Sequence, residues 1–179
     1  MMRGGVRLGL VLTALGAVAL LAPMRKSGLV LAGAMPSVSL NAAQAQPRQV
    51  EETTEKAVAR DYAAAWQAMA EALDQNRTDL LAASFIGTAN DKLRAGIEQQ
   101  RKTGLHQRIV DKGHTADIVF YSPEGSAMEL HDTARLELQT MDGGKVLHSE
   151  NATIHYVALL TAAENSWKVR VMEAVPEGQ

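Results

Sequence analysis

Two runs of alternating apolar and polar residues dominate the second half of the chain, within the stretch Ala127–Leu160. In both runs the apolar residues fall mainly on even positions, which is the period of a half-buried β-strand. The runs are separated by Asp142-Gly143-Gly144, and a three-residue loop with a glycine in the left-handed position keeps even positions opposite even positions. The pattern therefore predicts a long β-hairpin whose paired residue numbers sum to 286, with Asp132 opposite Ile154.

Apolar residues recur every three or four positions before this hairpin, which predicts amphipathic helices. The first helix begins at Thr53 or Thr54, and its apolar stripe consists of Val58, Tyr62, Ala65, Trp66, Met69 and Leu73. A short second helix is expected over Asp79–Phe85, and a third from Thr88 to a stop at Gly104. Each of these stripes needs an apolar surface on which to pack.

Three further segments are predicted to be strands. Thr115–Ser122 and Ser166–Val175 show clear alternation, and Leu105–Asp111 shows a weaker form of it. Together with the hairpin they predict an α+β domain, in which three N-terminal helices pack on one face of a curved antiparallel sheet of about four strands.

The first 45 residues have the composition of a signal peptide or membrane anchor. They carry four basic residues and no acidic residue, and Leu8–Ala22 is an uncharged apolar run. A second leader-like unit starts at Met24, which would then be the true start, and ends in Ala43-x-Ala45, a cleavage pattern before Gln46. A cleaved leader or an uncleaved anchor places the body in a periplasmic, extracytoplasmic or membrane-anchored location, unless Arg25 and Lys26 hold it inside. A linker over 46–54 and one domain over 55–176 are expected to follow.

Composition excludes several classes of function. The chain has 179 residues and no cysteine, so disulfides and thiolate metal sites are excluded. After residue 45 it carries 14 basic and 20 acidic residues, so no basic field is available to neutralise phosphates. Nucleic acid is therefore not an expected partner.

The order of elements and four short motifs resemble the nuclear transport factor 2-like superfamily of cone-shaped α+β domains. The motifs are Ala65-Trp66-Gln67 in the first helix, Gly104-Leu105 after the third, the strand Thr133–Leu138, and the final Ser166-Trp167-Lys168-Val169. Within the superfamily they are similar to the C-terminal domain of plastid division proteins and related bacterial proteins. The resemblance implies a fold that serves isomerases, dehydratases and cyclases as well as non-catalytic binding or assembly modules.

Asp132 is the residue that suggests chemistry, because it stands in an apolar row where a carboxylate must find a donor, reach water or change its pKa. The resemblance implies that such a base works with an acidic or histidine partner and a tyrosine, so the catalytic candidates are Asp132, Tyr156 and His148. The interpretation that the pattern favours over catalysis is that Asp132 pairs with a donor in the core or lines a wet cavity, while His148 and Glu150 lie in water near the hairpin tip. The predicted ligand pocket comprises Tyr62, Trp66, Met69, Leu130, Asp132, Ile154 and Tyr156.

His131 and His155 are predicted to face each other on the other side of the hairpin. They are weak candidates for a metal site, since no third ligand is evident, and we expect no metal and no cofactor. The resemblance also implies a homodimer through this outer face, where the two histidines would lie.

Two functions follow from these observations. The first is an exported or membrane-tethered, non-enzymatic binding or assembly module of the cell envelope, with a protein partner or a small apolar ligand. The alternative is a small-molecule isomerase, dehydratase or cyclase in which Asp132 acts as the general base.

Overall fold

The computed structural model describes residues 35–176, which belong to the compact unit Gly33–Gln179. Along the chain the elements are β1 (Val38–Asn41), β2 (Gln46–Pro47), α1 (Glu52–Gln75), a 3-10 turn (Thr78–Leu81), α2 (Gly87–Thr103), β3 (Leu105–Tyr121), β4 (Ala127–Asp142), β5 (Lys145–Ala163) and β6 (Ser166–Val175). This is an α+β domain, as predicted, but with two α-helices where three were expected. No helix among residues 35–176 is long and apolar enough to cross a membrane.

The strands form one mixed, six-stranded sheet in the order β1-β3-β4-β5-β6, with β2 also on β3. Strands β3 to β6 are the predicted antiparallel meander, and β1 and β2 add parallel pairs at its edge. The two strands predicted on either side of residue 112 are one strand, β3, which continues through an irregularity between Asp111 and His114. Gly113 allows this because it adopts a φ of +117°, which other residues rarely take.

The helices differ from the prediction in the middle of the chain. Helix α1 buries every residue of the predicted stripe. It ends at Asn76, whose backbone is left-handed and whose N–H donates to carbonyl oxygens of the last turn. Of the predicted second helix only the 3-10 turn forms. Phe85, at the end of the predicted helix, instead forms a β-bridge with Val169 of β6. That bridge is fixed by backbone hydrogen bonds from Val169 to Ser84 and from Ile86 to Val169, so the chain there is extended.

The hairpin β4–β5 keeps the predicted parity but not the predicted register. Asp142 pairs with Lys145 across Gly143-Gly144, so the first pairs set an even position opposite an odd one. Leu147 is an extra residue on β5, and after it even positions again lie opposite even positions. Beyond this bulge the paired numbers sum to 288, as in Thr140 with His148, instead of 286. Asp132 therefore lies opposite Tyr156, and the predicted pairing with Ile154 is wrong.

Val38–Asn41 and Gln46–Pro47 belong to the sheet, although the sequence suggested the end of a leader and a linker. Val38–Asn41 pairs with His114–Asp117, Leu40 packs against the core, and Ala45 is buried. The predicted segments before residue 35 lie outside the described residues. Cleavage before Gln46 stays a prediction.

Helix α1 covers the inner face of the sheet. Tyr62 and Trp66 of its stripe are buried in one cluster with Ile118 of β3, Leu130 of β4 and Leu160 of β5. The inner face is thereby closed by side chains that bury large apolar areas.

Candidate functional site

Asp132 lies in the middle of the domain, on the inner row of β4 and facing α1. Its side chain has no solvent exposure. Its Oδ2 atom accepts two hydrogen bonds, one of 2.9 Å from the Tyr62 hydroxyl and one of 2.9 Å from Nδ1 of His114. The carboxylate is therefore held by a helix residue and by a residue of the neighbouring strand.

His114 joins Asp132 to a second carboxylate. Its Nε2 lies 2.6 Å from Oδ2 of Asp111, and its side chain is completely buried. A neutral imidazole can donate from only one nitrogen, whereas the imidazolium can donate to both carboxylates at once. Burial by itself lowers the pKa of His114, but the hydrogen bonds and negative charges of Asp111 and Asp132 outweigh it and raise that pKa to about 9. The site is thus a buried cation between two anions at neutral pH.

The bulge in β3 makes this arrangement possible. In a regular strand, residues three apart point to opposite faces, so Asp111 and His114 would lie on different sides of the sheet. The irregularity at Gly113 removes that difference in direction. Two hydrogen bonds stabilise this irregularity. The Gly113 amide donates to Oδ1 of Asp111 at 2.8 Å, and the His114 amide donates to the Ser37 carbonyl at 2.8 Å.

Aromatic rings enclose the charged groups. The Trp66 ring lies 4.4 Å from the His114 ring between centroids, and it meets the Tyr156 ring edge-on at 5.3 Å. A tryptophan face next to an imidazolium is a favourable cation–π contact. Within residues 35–176, Oδ1 of Asp132 and Nε1 of Trp66 are buried atoms without a hydrogen-bond partner.

Both tyrosines near Asp132 are held in the protonated form. Burial and then the negative charge of Asp132 raise the pKa of Tyr156 to about 12. The same two causes, in the same order, raise the pKa of Tyr62 well above its ordinary value. Each hydroxyl is consequently a hydrogen-bond donor over the physiological range, and Tyr62 already uses this capacity on Asp132.

The predicted pocket residues are brought together, but as packed core. Tyr62, Trp66, Met69, Leu130 and Asp132 are buried, and Ile154 and Tyr156 are half-buried and packed against the same cluster. Two open depressions, of about 680 Å³ and about 200 Å³, lie elsewhere, along residues 40–59. The carboxylate is therefore surrounded by its own side-chain partners.

His148 is not brought to Asp132. It lies near the hairpin tip, where its side chain is 66% exposed and 3.7 Å from that of Glu150. It stands eight positions along β5 from Tyr156, the residue opposite Asp132, a separation of roughly 27 Å at ~3.4 Å per residue. The histidine that does bind Asp132 is His114, which falls between the predicted strands Leu105–Asp111 and Thr115–Ser122. Its alternation with Ala116 and Ile118 was the signal that pointed to the sheet interior.

The outer-face histidines are separate from this site and do not oppose each other. His131 lies opposite Val157 and contacts Glu129, with 2.9 Å between Nε2 and Oε1. His155 lies opposite Thr133, at 3.0 Å from its hydroxyl. The predicted pairing of the two histidines is wrong because the register is shifted by two. In the part of the chain that the structure describes, no three histidine or acidic side chains are placed to hold a metal ion.

Comparison with known proteins bears on the fold. No protein-family model and no curated protein sequence matches the chain. The intermembrane space region of the chloroplast protein ARC6 superposes with a TM-score of 0.61 and 14% identity, over 73% of this chain and 100% of that one. Aln2 from a Streptomyces species superposes with a TM-score of 0.46 at 17% identity, over 71% of this chain and 94% of that one. This TM-score is too low to bear on function. The chain therefore shares its α+β fold with this region of ARC6, which is consistent with the resemblance to the nuclear transport factor 2-like superfamily.

Proposed function

We propose that this chain is a non-enzymatic binding or assembly module of the cell envelope, exported or membrane-tethered through its N-terminal segment. The observation that carries the proposal is the enclosure of Asp132, whose side chain has no exposure and already accepts bonds from Tyr62 and His114. A general base must reach a proton of its substrate within hydrogen-bond distance. Here the group best suited to that task is occupied in holding the core together.

The electrostatics of the site support a structural role. A buried ion pair is stable only when its geometry is good and its remaining hydrogen-bonding capacity is mostly satisfied. Asp111, His114 and Asp132 meet that condition, because the central imidazolium bonds to a carboxylate at each nitrogen. These contacts join β3 to β4, and Tyr62 joins the pair to α1.

The partner is proposed to be a protein that binds the outside of the sheet, because α1 fills the inside. Across the outer face, Phe120 of β3, Leu159 of β5 and Val171 of β6 lie in one row around Glu129. Phe120 is 38% exposed, and Leu159 and Val171 are half-buried. An apolar row of this kind on a surface is typical of a protein-binding site.

The test is affinity capture of the tagged full-length chain from envelope membranes of its own host. We expect a specific partner to co-purify with the wild type and to be lost with Phe120→Asp. The control variant is Val175→Asp, which places the same charge on a residue that is 37% exposed at the end of β6. Recovery of the chain alone from several detergents, with neither a protein nor an apolar ligand bound, would contradict the proposal.

One observation favours the enzyme alternative, an isomerase, dehydratase or cyclase. Oδ1 of Asp132 is a buried acceptor without a partner among residues 35–176, and Tyr156 lies directly opposite on β5. In that alternative Asp132 takes a proton α to a carbonyl, and Tyr156 donates to the enolate oxygen. It requires α1 to move away and admit a substrate. Turnover of a carbonyl compound that Asp132→Asn abolishes, in a variant whose circular dichroism is unchanged, would replace the binding proposal.

A further inference from the structure

Part of β5 is a free sheet edge. β4 pairs with β5 from Ala127 to Asp142, but β6 pairs only with the segment from His155 to Ala163. Residues 145–153 consequently have β4 on one side and, among residues 35–176, no strand on the other. We call these nine residues the free edge.

The free edge is exposed and only lightly protected. Residues 145–151 are all exposed, including Val146 at 43% and Leu147 at 49%. Natural proteins protect an edge by proline, by charge or by keeping it very short, since unpaired N–H and C=O groups attract another strand. The free edge contains no proline, and its protection consists of Lys145, Glu150 and the bulge at Leu147. Pro176, which lacks an N–H, follows the last residue of β6.

We propose that a second copy of this chain occupies the free edge, pairing antiparallel about a two-fold axis at Ser149. A two-fold axis perpendicular to the sheet leaves each side chain on its own face, so paired residue numbers must sum to an even number. With Ser149 on the axis, His148 lies opposite Glu150 of the partner subunit, and the reciprocal pair forms on the other side of the axis.

Charge selects this register over its neighbours. With the axis at His148, that histidine would face its own copy. With the axis at Glu150, two carboxylates would face each other. Like charges directly opposite in a sheet are destabilising, whereas opposite charges contribute favourably. Of these three registers, the one with the axis at Ser149 places Glu150 of each copy opposite His148 of the other.

The proposal is independent of the proposed function, because pairing at this edge requires neither a partner protein nor turnover. It also uses a different surface from the outer face that carries Phe120, His131 and His155. Failure of either proposal therefore leaves the other standing.

The absence of cysteine from the chain allows a direct test. Ser149→Cys in the full-length chain, in detergent, places one thiol from each copy at the axis, about 5 Å apart between Cβ atoms. We expect rapid formation of a disulfide dimer under mild oxidation, or of a dimer with a short thiol-specific linker. Thr153→Cys is the control, because its two copies would be separated by roughly 27 Å, eight residues at ~3.4 Å each. Both side chains are on exposed strand positions, and circular dichroism checks that the variants fold.

A charge exchange tests the register itself. Adding Glu150→Lys to the Ser149→Cys variant should slow its cross-linking about tenfold, because both reciprocal pairs across the axis then lose the carboxylate that faces the histidine. Adding His148→Glu as well should restore the rate, since a glutamate then faces a lysine in each pair. Equal cross-linking rates for Ser149→Cys and Thr153→Cys would overturn the proposal. So would a Ser149→Cys rate that is indifferent to both charge changes, or cross-linking of that variant only to a different protein.

Discussion

Deprotonation of His114 should destabilise the folded protein, so stability is expected to fall as the pH rises from about 6.5 to 9. The ordinary pKa of histidine is 6.5, and in the folded state the pKa of His114 is raised to about 9. The folded state therefore holds this proton more tightly than the unfolded state does. The resulting stabilisation is fully present below the unfolded pKa, and it is lost as the pH rises through the folded pKa.

The magnitude follows from the difference between the two pKa values. Each pKa unit corresponds to about 1.4 kcal/mol, so the imidazolium contributes about 3 kcal/mol to the free energy of unfolding. No discount for solvent screening applies, because the His114 side chain is fully buried. Between pH 6.5 and 9 the free energy of unfolding should fall by about 1.4 kcal/mol per pH unit.

The assay is equilibrium unfolding in urea at a series of pH values from about 6 to 9.5, followed by tryptophan fluorescence. Trp66 is a suitable reporter because its ring lies 4.4 Å from that of His114. The upper limit keeps Tyr62 protonated, since its pKa lies well above the ordinary tyrosine value. The matched control is His114→Gln, which keeps a hydrogen-bonding side chain but cannot titrate.

A free energy of unfolding that stays constant within about 0.5 kcal/mol over this range would refute the reasoning. The same conclusion would follow if His114→Gln kept the full pH dependence of the wild type. In either case the histidine is not the group that binds the proton.

Three further outcomes are expected. Gly96→Ala should raise the free energy of unfolding by about 0.5–1 kcal/mol, because Gly96 lies inside α2 with nothing within 4 Å of an added Cβ; a lower thermal midpoint would contradict this. Gly113→Ala should lower the thermal midpoint of unfolding and the pKa of His114 together, because φ is +117° and the new Cβ would lie 3.1 Å from Nη2 of Arg135. A histidine titration by NMR measures the change in the pKa. A chain beginning at Gln46 lacks β1 and should be about 2 kcal/mol or more less stable than one beginning at Gly33; equal urea midpoints would show that β1 contributes nothing.

The sequence predicted those parts of the fold that depend on period alone. The stripe that includes Tyr62 and Trp66 identified α1 and its buried face, because a helix repeats its environment every three to four residues. The parity of the hairpin was equally readable, and so was the position of Asp132 on an inner row. These predictions needed no knowledge of what packs against each element.

The remaining features depend on contacts that a local pattern does not contain. The bulge at Gly113 interrupts the alternation of β3, so the pattern suggested a loop at His114 and hid the ion pair. Val38–Asn41 has the composition of a leader, and it is a strand because β3 offers it a parallel partner. Phe85 follows a helical pattern, but its pairing with β6 overrides the local preference.

The ion pair between Asp132 and His114 affects which alignment of β4 on β3 is stable. A slip of β4 along β3 by two residues leaves every apolar side chain on its original face, because alternation has a period of two. In the direction that sets Asp132 opposite Ile118, such a slip would nevertheless separate Asp132 from His114, and breaking a buried ion pair costs about 3–5 kcal/mol. That misaligned sheet is thus well packed yet electrostatically unfavourable, and the ion pair disfavours an alignment that hydrophobicity alone leaves almost equal in energy.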